Sequence, residues 1–211
     1  MDLVLALFGL FWVALLVVWP FYVERRRTAI GPTERHGAEG EFAPLSQGVT
    51  HYRWGGPVRG PVAVVVPGIA SPLTSMEAVA KGLGDIGYRV LMYDLYGRGL
   101  SDAPKGPQNR AFFLRQLSDL AAYHGLREDI TVVGYSMGGS IATAFVAENP
   151  HCIKQVMLIA SSGVVVNESW FARFCRRVPL LGDWEHGMFA QWRIKRAIPA
   201  RGQTKDIEKV L

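Results

Sequence analysis

The sequence predicts an α/β fold with a doubly wound, mostly parallel sheet, preceded by one transmembrane helix. Residues 3–23 carry no charge, and from Val49 onwards short apolar runs rich in Val and Ile alternate with stretches of helical period. Strands separated by helices form parallel sheets with helices on both faces. The predicted organisation is an anchor over 1–24, a linker over 25–48, a sheet core over 49–165 and a helical cap over 166–211.

Composition narrows the class of protein before any motif is considered. The chain has 211 residues, of which 49% are hydrophobic and 19% charged, so it is neither disordered nor fibrous. Its 2 cysteines, Cys152 and Cys175, are too few for a disulfide framework and lack the paired spacing of a zinc site. The net charge of +5 lies wholly within residues 170–211, which argues against nucleic-acid binding. We therefore expect no metal, no cofactor and no nucleic-acid partner.

The first residues predict a single membrane-spanning helix. A helix over 3–23 would be about 31 Å long, close to the hydrocarbon thickness of a bilayer, with Trp19 and Tyr22 at its edge, where aromatic residues concentrate. A cleaved signal peptide and a buried core helix are the alternatives; the acidic start and the long apolar run disfavour the signal peptide. The arginine triplet at 25–27 follows the span, which predicts that the rest of the chain is cytoplasmic.

The remaining elements follow from the apolar pattern. Residues 25–48 are rich in Gly, Glu, Pro and Thr with no apolar period, which predicts a linker. Apolar runs beyond it predict strands over 51–54, 62–66, 88–93, 130–134 and 153–160. Helical periods predict helices over 75–83, 111–123 and 137–147. The second of these helices supplies the predicted core residues Phe112, Leu114, Leu117 and Leu120.

Residues 82–87 match G-x-G-x-x-G, the fingerprint of dinucleotide binding. That use requires the glycines to follow a strand and open a helix, where the helix N-terminus meets the pyrophosphate. Here they follow a predicted helix and precede a predicted strand. The pattern therefore predicts a helix end and a turn, and not a nucleotide site.

The motif that carries chemistry is G-x-S-x-G at residues 134–138. It lies between a predicted apolar strand and a predicted helix, where a strained turn lifts Ser136 above the sheet and Gly134 and Gly138 let neighbouring segments approach. The N-terminus of the following helix favours negative charge on the serine oxygen or on an acyl oxyanion. The pattern therefore predicts a nucleophilic serine.

With this motif the chain resembles the α/β-hydrolase superfamily, of the lipase and esterase kind, over about residues 49–165. The resemblance implies that Ser136 is the nucleophile and that the backbone N–H groups of Ile69 and Met137 bind the oxyanion. Pro67 stands where the family commonly has His, which affects only the support of that loop. Residues 94–101 resemble the family's D-x-x-G-x-G-x-S turn, in which we expect Asp94 to brace the loop and not to act as the catalytic acid.

The resemblance also implies a later acid and a later histidine, each at a strand end. Beyond Ser136 the only histidines are His151 and His186, the first just before a strand and the second in a Trp-rich stretch, and we expect neither to be the base. We therefore expect a truncated chain that lacks the acid and base and is nearly inert by itself.

These observations predict a membrane-anchored serine hydrolase that cleaves carboxylic esters, with lipid or lipophilic acyl esters as the expected kind, through an acyl-serine. A non-catalytic, membrane-tethered binding or scaffold protein of the same fold is the alternative. Apolar and basic residues alternate over 170–198, which predicts two short amphipathic cap helices. These helices either pack only on their own domain or also contact an anionic membrane.

Overall fold

The structure is a computed structural model that describes residues 2–25, 30–69 and 71–162, together with Trp170 and Phe174. The chain divides into two compact units, and the sheet belongs wholly to the unit that begins at Ala29 and ends at Val166. The predicted cap over 166–211 lies outside the described residues, apart from the exposed side chains of Trp170 and Phe174.

The N-terminal helix, α1 (Asp2–Arg25), forms as the apolar run predicts. Large apolar side chains along it are exposed, among them those of Phe8, Leu10 and Phe11. Within the ranges that the structure describes, however, no helix reaches the length and apolarity needed to cross a bilayer. The transmembrane interpretation of residues 1–24 is therefore not supported.

Six strands form one sheet in the order β1-β2-β4-β3-β5-β6. Strands β3, β4, β5 and β6 are parallel to one another, whereas β1 pairs with β2 and β2 with β4 in antiparallel fashion. The mostly parallel sheet predicted from the sequence is confirmed. The strands are β1 (Glu41–Leu45), β2 (Gly48–Gly55), β3 (Val62–Val66), β4 (Arg89–Tyr93), β5 (Ile130–Tyr135) and β6 (Ile153–Ile159).

Helices cover both faces of this sheet. After the single turn α2 (Pro32–Arg35) come α3 (Glu77–Asp85), α4 (Arg110–Tyr123) and α5 (Met137–Glu148). One apolar cluster joins the sheet to α4 and α5, and the four core residues predicted for α4 are all in it. A second cluster, which includes Ala80 and Leu83 of α3, joins the sheet to α3. The fold is therefore doubly wound, as predicted.

The predicted linker over 25–48 is wrong at its C-terminal end. Strand β1 lies there and pairs with β2, Ala43 being opposite Thr50. Of its five residues only Ala43 is fully buried, so the strand shows little apolar signal. Pro44 fits because β1 is an edge strand, where a missing N–H costs no ladder hydrogen bond.

Candidate active site

Ser136 occupies the turn between β5 and α5 with φ 52° and ψ −120°. Residues other than glycine rarely adopt positive φ, and holding one there costs on the order of 1–3 kcal/mol. Its side chain is half-buried and makes no hydrogen bond to the backbone of α5. The turn therefore presents a hydroxyl that the adjoining helix does not use as a cap.

Two glycines make this turn sterically possible. A Cβ at Gly134 would lie 2.5 Å from the Cα of Gly139, and a Cβ at Gly138 would lie 2.5 Å from the carbonyl oxygen of Pro67. Both distances are far below van der Waals contact, and both neighbours are backbone. The close passage of α5 over β3 and β5 therefore requires glycine at positions 134 and 138.

The loop after β3 lies directly beside the serine. A Cβ built on Gly68 would lie 3.1 Å from the Cβ of Ser136, and the next residue, Ile69, is exposed. Met137 is the first residue of α5, so its N–H has no acceptor within the helix. Met137 thus follows Ser136 directly in the chain, and Ile69 follows Gly68, the residue that lies against Ser136.

The guanidinium group of Arg98 is hydrogen-bonded to the same loop. Arg98 donates from Nε to the Ile69 carbonyl over 2.7 Å and from Nη1 to the Gly97 carbonyl over 3.1 Å. The loop after β3 is thereby tied to the turn after β4. The sequence analysis missed this role, because Arg98 and Ile69 are 29 residues apart and only the topology makes them neighbours.

Asp94 braces loops, as predicted. Its side chain is 3% exposed and accepts hydrogen bonds from the N–H of Leu73 over 2.7 Å and of Leu100 over 3.1 Å. It also lies 2.7 Å from Nδ1 of His51 on β2. With its oxygens engaged in this way, the carboxylate is a structural group.

The partner of Asp94 is a residue that the sequence analysis did not single out. Both ring nitrogens of His51 face acceptors, Nδ1 the Asp94 carboxylate and Nε2 the Glu39 carbonyl over 2.9 Å. Burial by itself lowers the pKa of His51, but these hydrogen bonds and the Asp94 charge outweigh it, so the pKa is raised above its ordinary value of 6.5. No local pattern could have indicated this role, because Asp94 lies 43 residues from His51 in the sequence.

The remaining candidates lie elsewhere. His151 is exposed in the turn Pro150–Cys152, at the amino end of β6 and so at the opposite edge of the parallel strands from Ser136. Gly82 and Gly84 lie inside α3, before β4, which is the helix-end placement expected for that pattern. His186 and Cys175 lie outside the described residues. Among the described residues no group of His, Cys, Asp and Glu could hold a metal ion.

Comparison with known proteins matches residues 61–190 to the family described as "alpha/beta hydrolase fold". An uncharacterised protein of Mycobacterium tuberculosis is 30% identical over 105 residues, which cover 50% of this chain and 30% of that protein. Lipase 1 of Psychrobacter immobilis is 32% identical over 113 residues, which cover 53% of this chain and 35% of the lipase. The chain thus matches only about a third of the length of these curated relatives.

Solved structures agree with the family assignment. The enol-lactonase of Burkholderia xenovorans superposes with a TM-score of 0.52 at 27% identity, covering 55% of this chain and 45% of the lactonase. The matched family region includes β3, β4, β5 and β6 and the strand–turn–helix at Ser136.

Proposed function

The chain belongs to the α/β-hydrolase fold family, and on that premise we propose that the protein is a serine hydrolase that cleaves carboxylic esters. The observation that carries the proposal is the backbone of Ser136, which is held at φ 52° and ψ −120° between a buried strand and a helix. Strain of this kind at a polar residue is typical of functional sites, where the surrounding structure holds a side chain in place.

In the proposed reaction the Ser136 hydroxyl attacks the carbonyl carbon of the ester. A base takes the hydroxyl proton, and the carbonyl oxygen becomes an oxyanion that the N–H groups of Ile69 and Met137 would bind. Collapse of this intermediate expels the alcohol, which takes up the proton, and leaves an acyl-serine. A water molecule then attacks the acyl-serine, which releases the acid and restores Ser136.

The described residues that follow Ser136, 137–162, offer no histidine suited to act as the base. In residues 137–162 the only histidine is His151, which lies at the far edge of the parallel strands. We therefore place the base outside the described residues. This observation also favours the alternative that the protein is a non-catalytic binding or scaffold member of the fold, in which Ser136 has no partner.

An ester is the substrate that the relatives favour. One is named a lipase and another an enol-lactonase. The exposed Ile69 beside Ser136 offers an apolar surface to an acyl or alcohol group. A lipophilic ester would suit this surface best.

We further propose that the protein acts at a membrane, with its sheet unit on the cytoplasmic side. Helix α1 exposes Phe8 at 61%, Leu10 at 66% and Phe11 at 60%, and apolar patches of this kind mark sites that lipid or another protein covers. The excess of basic residues in 170–211 would favour anionic lipid. Flotation of the protein with vesicles, compared with a variant lacking residues 1–25, tests this: equal flotation of both would contradict a role for α1.

Covalent labelling tests the serine mechanism. A fluorophosphonate probe should form one adduct with the full chain, on the peptide that contains Ser136, and mass spectrometry locates it. Ser136→Ala should abolish the adduct, whereas Ser118→Ala on α4 should leave it unchanged. Absence of labelling in the unaltered protein would agree with the expectation from the sequence that these residues lack the acid and base, and would favour the binding or scaffold alternative.

A further inference from the structure

The segment that follows β6, residues 159–162, is hydrogen-bonded to the turn that carries Ser136. The N–H of Ser136 donates to the Ile159 carbonyl over 3.0 Å, and the N–H of Ser162 donates to the Ser136 carbonyl over 2.9 Å. Both backbone polar groups of Ser136 therefore have partners in this one segment, and the Ser136 carbonyl also accepts from the Gly139 N–H over 3.0 Å. We name it the exit segment.

The exit segment is itself held in an unfavourable conformation. Ala160 has φ 45°, in the left-handed region that residues with a Cβ rarely adopt. This conformation brings Ser161 against α5, where a Cβ on Gly139 would lie 2.6 Å from the Cβ of Ser161. The contact is closer than any side chain at position 139 would permit, so the segment lies tight on the first turn of the helix.

Two side-chain hydroxyls donate to the Ser162 carbonyl, that of Ser140 and, over the longer distance of 3.3 Å, that of Ser161. The hydroxyl of Ser140, on α5 one helical turn beyond Ser136, donates a hydrogen bond to the Ser162 carbonyl. Ser162 is thus linked to Ser136 through its N–H and to Ser140 through its carbonyl. Ser140 is exposed, so water could satisfy its hydroxyl equally well, and folding does not require this bond.

We infer that Ser140 is a positioning residue for the nucleophile and acts through Ser162. The inference rests on the proposed function, because it concerns the reactivity of Ser136. A strained backbone relaxes unless its neighbours hold it, and a reacting oxygen must stay within a fraction of an ångström of its productive position. By fixing Ser162, the Ser140 hydroxyl holds the Ser136 carbonyl and with it the orientation of the serine side chain.

The test is the rate at which a fluorophosphonate labels Ser136 in variants of the full chain. Ser140→Ala should lower the maximal labelling rate constant by about tenfold, since small misplacement of reacting groups is costly, and should leave the probe concentration for half-maximal rate unchanged. Ser140→Thr keeps the hydroxyl and should restore the rate to within about twofold. Thr143→Val is the matched control, because the Thr143 hydroxyl also lies on α5 but donates to the Gly139 carbonyl over 2.8 Å; it should label like the unaltered protein.

Labelling is measured well below the unfolding midpoint of each variant. An unchanged rate in Ser140→Ala would overturn the inference, and so would a loss that Ser140→Thr does not restore, since that would show a steric and not a hydrogen-bonding role. An equal loss in Thr143→Val would overturn it too. Failure of the unaltered protein to label at all would instead overturn the proposed function, and the inference with it.

Discussion

Two turns leave the parallel sheet at its carboxyl edge, one after β5 and one after β4, and they hold their polar side chains in opposite ways. After β5 the backbone of Ser136 is strained, and its side chain is half-buried with no helix-cap hydrogen bond. After β4 the side chain of Asp94 is buried, and its carboxylate is hydrogen-bonded to the N–H groups of Leu73 and Leu100 and to the ring of His51.

The two turns differ in whether the polar side chain is left available or is used to stabilise the fold. A side chain that the fold uses for stability is buried with its hydrogen bonds made, because an unpaired buried group costs free energy. On the proposed function the Ser136 hydroxyl must remain available for reaction, which agrees with a fixed backbone and a side chain that makes no helix-cap hydrogen bond. Substitutions at and around the two turns test this difference.

The largest expected effect is the loss of reactivity in Ser136→Ala. Ester hydrolysis or probe labelling should fall by at least about 10³-fold, because a nucleophile cannot be replaced by a methyl group. The free energy of unfolding should change by less than about 0.5 kcal/mol, since the fold does not use the hydroxyl. Labelling and urea denaturation measure the two quantities; a large loss of stability would mean that Ser136 is a structural residue as well.

Asp94→Asn should show the converse, a loss of stability. Removing the charge leaves the buried His51 ring without its carboxylate partner, which should lower the free energy of unfolding by about 3 kcal/mol. Asp102→Asn is the matched control: its side chain is 33% exposed and pairs with Arg35 over 2.6 Å, so we expect about 1 kcal/mol. Equal losses from urea denaturation would remove the distinction between the buried carboxylate of Asp94 and the partly exposed carboxylate of Asp102.

Gly138→Ala tests whether steric fit holds the serine turn. The added Cβ would press on the Val66 and Pro67 carbonyls, and we expect a loss of about 2 kcal/mol in the free energy of unfolding. Gly82→Ala on α3 is the control, because nothing lies within 4 Å of a Cβ there; it should stabilise the protein by up to about 1 kcal/mol. Thermal unfolding of the two variants should shift in opposite directions.

The smallest expected effect is a dependence of stability on pH through His51. Its folded-state pKa is raised above 6.5, so its contribution is complete below pH 6.5 and is lost as the pH rises through the folded-state value. The difference in unfolding free energy between the unaltered protein and His51→Gln should therefore shrink as pH rises. His124 provides the contrast, since burial lowers its pKa and His124→Gln should show the opposite trend.

Most strands and helices could be predicted because each has a strong local signal. The buried parallel strands are short runs of β-branched residues, and α4 shows its apolar stripe in the spacing of Phe112, Leu114, Leu117 and Leu120. Strand β1 could not be predicted, because an edge strand with one buried residue needs little apolar sequence. The apolar run at the N-terminus predicted the helix correctly, but its interpretation as a transmembrane span is not supported.

The candidate site also contains residues that could be predicted from the sequence and residues that could not. Ser136, Gly134 and Gly138 could be identified because their motif lies at a strand–helix junction, and local geometry gives each residue type its reason there. The pairs His51 with Asp94 and Ser140 with Ser162 span 43 and 22 residues. No local pattern indicates which distant residues such hydrogen bonds will join.

The sequence by itself determined the α/β class, the alternation of strands and helices, and the serine at the turn after β5, because each depends on residues close together in the chain. Only the tertiary structure decided the strand order, with β3 between β4 and β5, and the side chains that surround the serine. The reason is that parallel strands are brought together by helices that cross over between them, so the neighbours of Ser136 come from loops far apart in sequence.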